Sequence, residues 1–335
     1  MANIIAVIWD FDKTLVDGYM QDPMFEEYGI DSKQFWAEVN STLDQYEKQH
    51  LRVNKDVFYL NYFIKYAKEG IFKGLNNQRL NGFGKTQQFY PGVPEFLKET
   101  KELLKGEDKY AELGIQVEHY IISTGFAEVI RGSQLMPYLD GVWGCELLDG
   151  TADDGSSVIS EVVYTIDNTT KTRAVFEINK GIGKLDGIDV NSKIPKELRR
   201  VRMENMIYIA DGPSDIPAFS VIKQNGGATF AIYPKGDVRA MQQVDQMRAD
   251  GRVDMYAEAD YSPNTTANMW ITQKIREMAE RMLKAETDRV AAAASSCRQL
   301  FFMRKACISA DFRFLKEGSL WSILISSTNR GSPRA

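Results

Sequence analysis

Two short, wholly apolar runs each end abruptly on a carboxylate, and this constrains the chain more than any other feature. Ile4–Trp9, rich in β-branched residues, stops at Asp10, and Met206–Ala210 stops at Asp211. An apolar run of this length without alternation reads as a strand covered on both faces, as in parallel sheets. Similar runs occupy Tyr120–Ile122 and Ala228–Tyr233, with helical spacing between them at Val93–Leu104 and Ile216–Lys223. Strands alternating with helices predict an α/β fold, a doubly wound, Rossmann-like parallel sheet. In such sheets ligands gather beyond the carboxyl ends of the strands, so the residues after Trp9, Ile122 and Ala210 carry the most weight.

The 335 residues leave room for about two domains. Residues 18–90 show few strand signals and long helical patterns, Ser32–Gln49 and Asp56–Lys68. Phe58, Tyr62 and Tyr66 share one helical stripe, with Tyr59 and Phe63 beside it. The spacing predicts the core of a small helical domain rather than a substrate-facing stripe. Tyr90-Pro91-Gly92 marks the return to the sheet. Because the first strand precedes this insert and the others follow it, residues 18–90 are expected as a helical cap over the sheet's carboxyl edge. The α/β core is then 1–17 and 91–290. Cys145–Leu148 and Val158–Ile166, flanking the Gly-, Asp- and Ser-rich Asp149–Ser157, predict a small β-hairpin insert. Lys171–Asn179 predicts a short helix with Gly181 just past its end, and Thr266–Ala294 a long amphipathic one. Residues 291–335 change character, with scattered apolar clusters and a basic excess, and are expected to be a disordered or weakly docked tail.

Composition excludes several classes. Lys and Arg number 41 against 46 Asp and Glu, a net charge of −5, so no cationic surplus is available for a phosphate backbone and no nucleic-acid partner is expected. Three widely spaced cysteines, Cys145, Cys297 and Cys307, argue against a disulfide framework or a cysteine zinc site and fit a reducing compartment. Two histidines, His50 and His119, leave no basis for a His-rich metal centre or a histidine triad. No apolar run reaches the ~18 residues of a membrane helix, and no charged leader precedes the first apolar stretch. A cytoplasmic protein without membrane partners is expected; its oligomeric state is not legible.

Four segments carry chemistry. In Asp10-Phe11-Asp12-Lys13-Thr14, two carboxylates share a loop at a strand end, where repulsion and desolvation demand an offsetting charge. Oxygen ligands without neighbouring His or Cys select Mg²⁺. In Asp211-Gly212-Pro213-Ser214-Asp215 a tight turn lets both acids face one point, with helix capping an equally good role for Asp215. Ser123-Thr124-Gly125-Phe126 follows a strand with hydroxyls and a glycine before an expected helix, an arrangement suited to an anion. Lys171 opens a helix, where it opposes the helix dipole; a lysine that offsets clustered acids and grips a phosphate accounts for it.

Together and in this order the four segments resemble the haloacid dehalogenase superfamily of aspartate-nucleophile phosphohydrolases, over residues 1 to about 290. Ser123-Thr124-Gly125-Phe126 followed by a hairpin and Lys171 is similar to its phosphoserine-phosphatase-like branch. One departure stands out: that branch has a glutamate nine positions after the nucleophile, where this chain has Tyr19. The resemblance implies that Asp10 attacks phosphorus and that Asp12 acts as general acid, then base. It implies Mg²⁺ on the Asp10 carboxylate, the Asp12 backbone carbonyl and Asp211, with Asp215 holding the metal's waters or orienting Lys171. Ser123 and Lys171, with backbone amides near Asp12 and around Thr124 and Gly125, would bind the phosphoryl oxygens of a small phosphorylated metabolite.

Two rival readings stay open: a phosphotransferase of the same mechanism, and a non-hydrolytic, receiver-like phosphate sensor. Receivers place paired acids and nucleophile on separate strands, whereas here both acids share one loop. Gly84-Lys85-Thr86 echoes a P-loop and Gly181-Ile182-Gly183 a dinucleotide fingerprint, but both lack the required context. Lys180 and Lys184 compete with Lys171 for the lysine role. His119 is expected to be structural.

Overall fold

A computed structural model describes residues 3–293 of the chain. The tail expected at 291–335 falls outside the described residues from 294 onward. Contacts divide the chain after Glu280; the described part of the second unit, 281–293, is helical.

The first unit is built on a sheet of seven strands among the described residues: β1 (Asn3–Trp9), β2 (Ile115–Phe126), β3 (Leu139–Thr151), β4 (Ser157–Tyr164), β5 (Met206–Ala210), β6 (Ala228–Tyr233) and β7 (Met255–Glu258). Their order is β4-β3-β2-β1-β5-β6-β7. All pairings are parallel except β3 with β4. The doubly wound, Rossmann-like sheet is therefore the fold found. The first strand of the chain is its middle strand, flanked by β2 and β5, so the loops after β1, β2 and β5 adjoin one another.

Strand lengths depart from the periodicity in places. β2 is longer than Tyr120–Ile122, because its polar residues Glu118 and His119 are buried and partnered. It continues through Ser123-Thr124-Gly125-Phe126, and a helix begins directly after them at Ala127, so these residues end a strand before a helix as expected. The hairpin's strands are β3 and β4, and its loop is shorter than Asp149–Ser157; the extra length of β3 comes from parallel pairing with β2 before it turns to β4. The edge strand β7 carried no apolar run to announce it.

Helices α1 (Asp22–Tyr28), α2 (Ser32–Lys48), α3 (Tyr59–Lys68) and α4 (Asn77–Gly84) fill the segment between β1 and α5 (Val93–Glu102). Their shared core is aromatic: Phe25, Phe35, Phe63 and Phe72 are buried, with Phe63 and Phe72 stacked at 5.0 Å. The segment's two ends are stitched together, since the Asp17 N–H donates to the Gln88 carbonyl and the Tyr90 N–H to the Leu15 carbonyl, both at 2.9 Å. The P-loop echo proves to be packing: a Cβ on Gly84 would strike the backbone of α7 (Ala127–Gly132) at Val129.

The remaining helices are α6 (Asp108–Ala111), α8 (Asn168–Lys180), α9 (Ile216–Gln224), α10 (Val238–Ala249) and α11 (266–280). On one sheet face Ile4, Ala6, Ile8, Tyr208 and Ala210 pack with Ala174, Val175 and Ile178 of α8 and Phe219 and Ile222 of α9. On the other, Trp9 meets Phe96 of α5 edge-on at 6.3 Å and Tyr261 at 5.6 Å. The Trp9 indole N–H also donates to Nδ1 of His119 at 3.1 Å. Thr100 Oγ1 gives its own hydrogen to the Phe96 carbonyl, so it receives the Nε2–H of His119 at 3.1 Å. The ring is thus a neutral tautomer with both nitrogens engaged.

Burial, with Lys101 adding to it, pushes the His119 pKa down to about 3. An unfolded chain takes up this proton from about pH 6.5 downward, while the folded one resists until about pH 3. The residue's stabilising contribution is therefore full above about pH 6.5 and drains as pH falls. Urea midpoints should drop between about pH 7 and pH 5, and drop less in His119→Gln, which has nothing to titrate there.

Candidate active site

β1 delivers Asp10 to the middle of the sheet's carboxyl edge, and the Asp10 N–H donates to the Ile209 carbonyl of β5 at 2.9 Å. That bond ties the first acidic loop to the second. Beyond Asp10 the chain turns sharply: Lys13 takes a left-handed φ of 55°, and the Leu15 N–H returns to the Phe11 carbonyl at 2.9 Å. Thr14 is buried; its backbone carbonyl accepts from the Tyr261 hydroxyl at 2.7 Å, which anchors the loop.

The carboxylates of Asp10, Asp211 and Asp215 converge, each presenting an oxygen within 4.8 Å of the other two. Lys171 completes the cluster from α8. Asp167 caps that helix in a reciprocal capping box with Thr170, so the lysine stands one turn in. Its Nζ lies 3.1 Å from Asp10 and 2.7 Å from Asp215, and the residue is only 1% exposed. Lys180 spends its ammonium on the carbonyls of Val190 and Ser192, and Lys184 lines a separate cavity of about 210 Å³ with Trp143 and Arg200. Of the three lysines the fold brings Lys171 to the acids.

Asp215 does not cap its helix. It precedes α9 without a side-chain bond to the helix's free N–H groups. Its Oδ1 instead accepts from Lys171 and, at 2.7 Å, from the Tyr208 hydroxyl, and its Oδ2 from Ser214 Oγ at 2.9 Å. The two buried donors, Lys171 and Tyr208, outcompete capping because both are desolvated.

Asp12 stands outside the converging trio. Its carboxylate accepts the Met20 N–H at 2.7 Å. Met20, which the sequence did not single out, joins three parts of the site: its sulfur accepts the Phe126 N–H at 3.1 Å, its thioether fills the space a Cβ on Gly125 would need, and its carbonyl accepts from Gln87. On β2, Ser123 is buried and its Oγ accepts the Gly125 N–H at 3.0 Å. The Tyr59 hydroxyl donates to the Thr124 carbonyl at 2.9 Å, and both Tyr59 and Phe63 of α3 meet Phe126 edge-on, so two of the α3 aromatics reach the Ser123–Phe126 segment.

The electrostatics follow from two buried acids and a half-buried one facing a single ammonium. Desolvation, then the neighbouring acids, hold the Asp10 pKa well above the ordinary carboxylate range against the pull of Lys171. Burial pushes Asp211 up to about 6, with Asp215 adding and Lys171 opposing. Burial likewise lifts Asp12 to about 7 although the Met20 N–H works against it. Lys171 is itself desolvated, but Asp10 and Asp215 outweigh that and keep it charged. The cluster has more negative than positive charge and offers hard oxygen donors with no His or Cys among them. Such a donor set fits Mg²⁺.

No family model matches the chain. An uncharacterized protein of Borreliella burgdorferi is 36% identical over 287 residues, which is 82% of this chain and 97% of that protein. The two belong to one family. Among solved structures the chain is similar to a HAD-family hydrolase of Salmonella enterica serovar Typhi, with a TM-score of 0.44 and 17% identity over 72% of this chain and 65% of that one. It is also similar to a phosphoserine phosphatase captured with a phospho-aspartyl intermediate analogue, with a TM-score of 0.40 and 19% identity over 76% and 93% of the two chains.

The lysine's structural share can be measured directly. Lys171→Met removes the cation and leaves buried carboxylates facing one another, which should cost about 3–5 kcal/mol in urea unfolding at neutral pH. Adding Asp215→Asn to that variant should restore part of the loss.

Proposed function

We propose that this chain is a Mg²⁺-dependent phosphomonoester hydrolase of haloacid dehalogenase type, acting through an aspartyl-phosphate on a small phosphorylated metabolite. One observation carries the reading: Asp10, at the end of the middle strand, lies 3.1 Å from a buried ammonium and faces a second acidic loop. A carboxylate held this way has its negative charge balanced enough for an anionic substrate to approach it.

In the first half-reaction an Asp10 oxygen attacks phosphorus, and the bond from phosphorus to the substrate's bridging oxygen breaks. The Asp12 carboxyl gives its proton to that oxygen, so an alcohol leaves and Asp10 carries the phosphoryl group. In the second, the Asp12 carboxylate takes a proton from water as the water oxygen attacks phosphorus. The acyl–phosphate bond breaks, inorganic phosphate departs, and both acids return to their starting states. Ser123 and Lys171 bind the phosphoryl oxygens throughout. By accepting from Gly125, the Ser123 oxygen is fixed while its own hydrogen stays available for that contact. Mg²⁺ bound by Asp10, Asp211 and the Asp12 carbonyl would shield the nucleophile from the incoming anion.

The helices of residues 18–90 serve as the cap in this reading, supported by their stitched ends and by the reach of Tyr59 to Thr124. They would then shape the leaving-group pocket, and Tyr19, where the phosphoserine enzymes have glutamate, argues for a leaving group other than serine.

Phosphate release from a panel of phosphorylated metabolites tests the whole reading. Activity should vanish with a chelator and return with Mg²⁺, and Asp10→Asn should abolish turnover in a chain that still unfolds cooperatively. Asp12→Asn should slow turnover by about 10²–10⁴. A chain that releases no phosphate from any member of the panel, with Mg²⁺ present, would overturn the proposal.

A further inference from the structure

The structure assigns to Tyr208 a positioning role: its buried hydroxyl fixes the carboxylate of Asp215 toward the cation-binding crevice. The inference rests on the reading of the Asp10 cluster given above.

β5 is Met206-Ile207-Tyr208-Ile209-Ala210, and every residue in it is fully buried. Tyr208 shares its face with Met206 and Ala210, packed against α8 and α9, and its ring meets Phe219 edge-on at 5.4 Å. A phenylalanine would satisfy that packing. A buried hydroxyl costs several kcal/mol unless it finds a partner, so its presence in an otherwise apolar strand calls for one. The partner is Asp215 Oδ1, 2.7 Å away.

The bond matters because of what else Asp215 could do. An aspartate at this position before a helix ordinarily turns outward to cap free N–H groups. Here Lys171 pulls it inward, but the same ammonium also serves Asp10 and must serve a phosphoryl oxygen during turnover. Tyr208 touches none of those groups and keeps its hold on Asp215 whatever Lys171 does. Oδ1 takes two donors and Oδ2 accepts from Ser214, so the carboxylate is held in place while one of its oxygens stays within 4.8 Å of oxygens of Asp10 and Asp211. Tyr208 thus acts on the cation site through Asp215, without contributing charge.

Mn²⁺ as a paramagnetic stand-in for Mg²⁺ allows the test on the full chain. Free Mn²⁺, counted by electron paramagnetic resonance during titration, should show binding about tenfold weaker in Tyr208→Phe, the scale of one hydrogen bond to a charged group. Thermal unfolding of the metal-free variant should stay close to the parent. Phe219→Leu, which loosens the same packing and keeps the hydroxyl, should leave Mn²⁺ affinity unchanged. Combining Tyr208→Phe with Asp215→Asn should weaken binding no further than Asp215→Asn alone. In steady-state hydrolysis the tyrosine variant should lower kcat and move KM by less than about twofold. Equal Mn²⁺ affinity in parent and Tyr208→Phe, equal weakening in Phe219→Leu, or full additivity with Asp215→Asn would each overturn the role. A parent chain that binds no Mn²⁺ would overturn it too. A parent that binds Mn²⁺ but hydrolyses nothing would defeat the proposed function and leave this inference to be judged on the binding data.

Discussion

The buried ammonium of Lys171, held between Asp10 and Asp215, is the interaction on which the rest of the structure turns. Three carboxylates at adjoining strand ends would push one another apart in a desolvated crevice. One fixed cation makes their convergence tolerable and still leaves an excess of negative charge for a second cation. The helix that carries Lys171 is therefore placed for electrostatics as much as for packing: its capping box sets where the first turn begins, and Ala174, Val175 and Ile178 seal it to the sheet. Remove the charge and the loops lose their reason to meet.

Much of this was readable in the sequence because physics had already used up the alternatives. Apolar runs that end on aspartates mark buried strands ending at a polar rim, and β1, β5 and β6 lie within a residue of where the runs put them. Asp10, Asp211, Asp215 and Lys171 do come together. The reading went astray where tertiary pairing overrides periodicity. Glu118 and His119 break the apolar pattern of β2, yet their partners on other elements let them be buried, so the strand begins earlier than its apolar run.

Other participants left no trace that a single chain can show. Met20 works through its backbone N–H, its carbonyl and its sulfur, none of which a residue type announces. Tyr208 sat inside a strand whose burial was expected, and only the 2.7 Å bond to Asp215 separates a functional tyrosine from a packed one. On α3, Phe63 packs both on Phe72 in the helical core and on Phe126 of β2, while Tyr59 reaches the Thr124 backbone.

Placing the chain's first strand in the middle of the sheet has a cost during synthesis. Asp10 is made well before the strands on its two sides and the lysine that neutralises it. Until β2 is made, β1 is an apolar ribbon with both edges bare, and until β5 follows one edge stays bare, the kind of surface that invites mispairing. The acidic crevice can close only once the loop after β5 has been made, so a chain cut before Asp211 would present neither nucleophile nor cation site in working form.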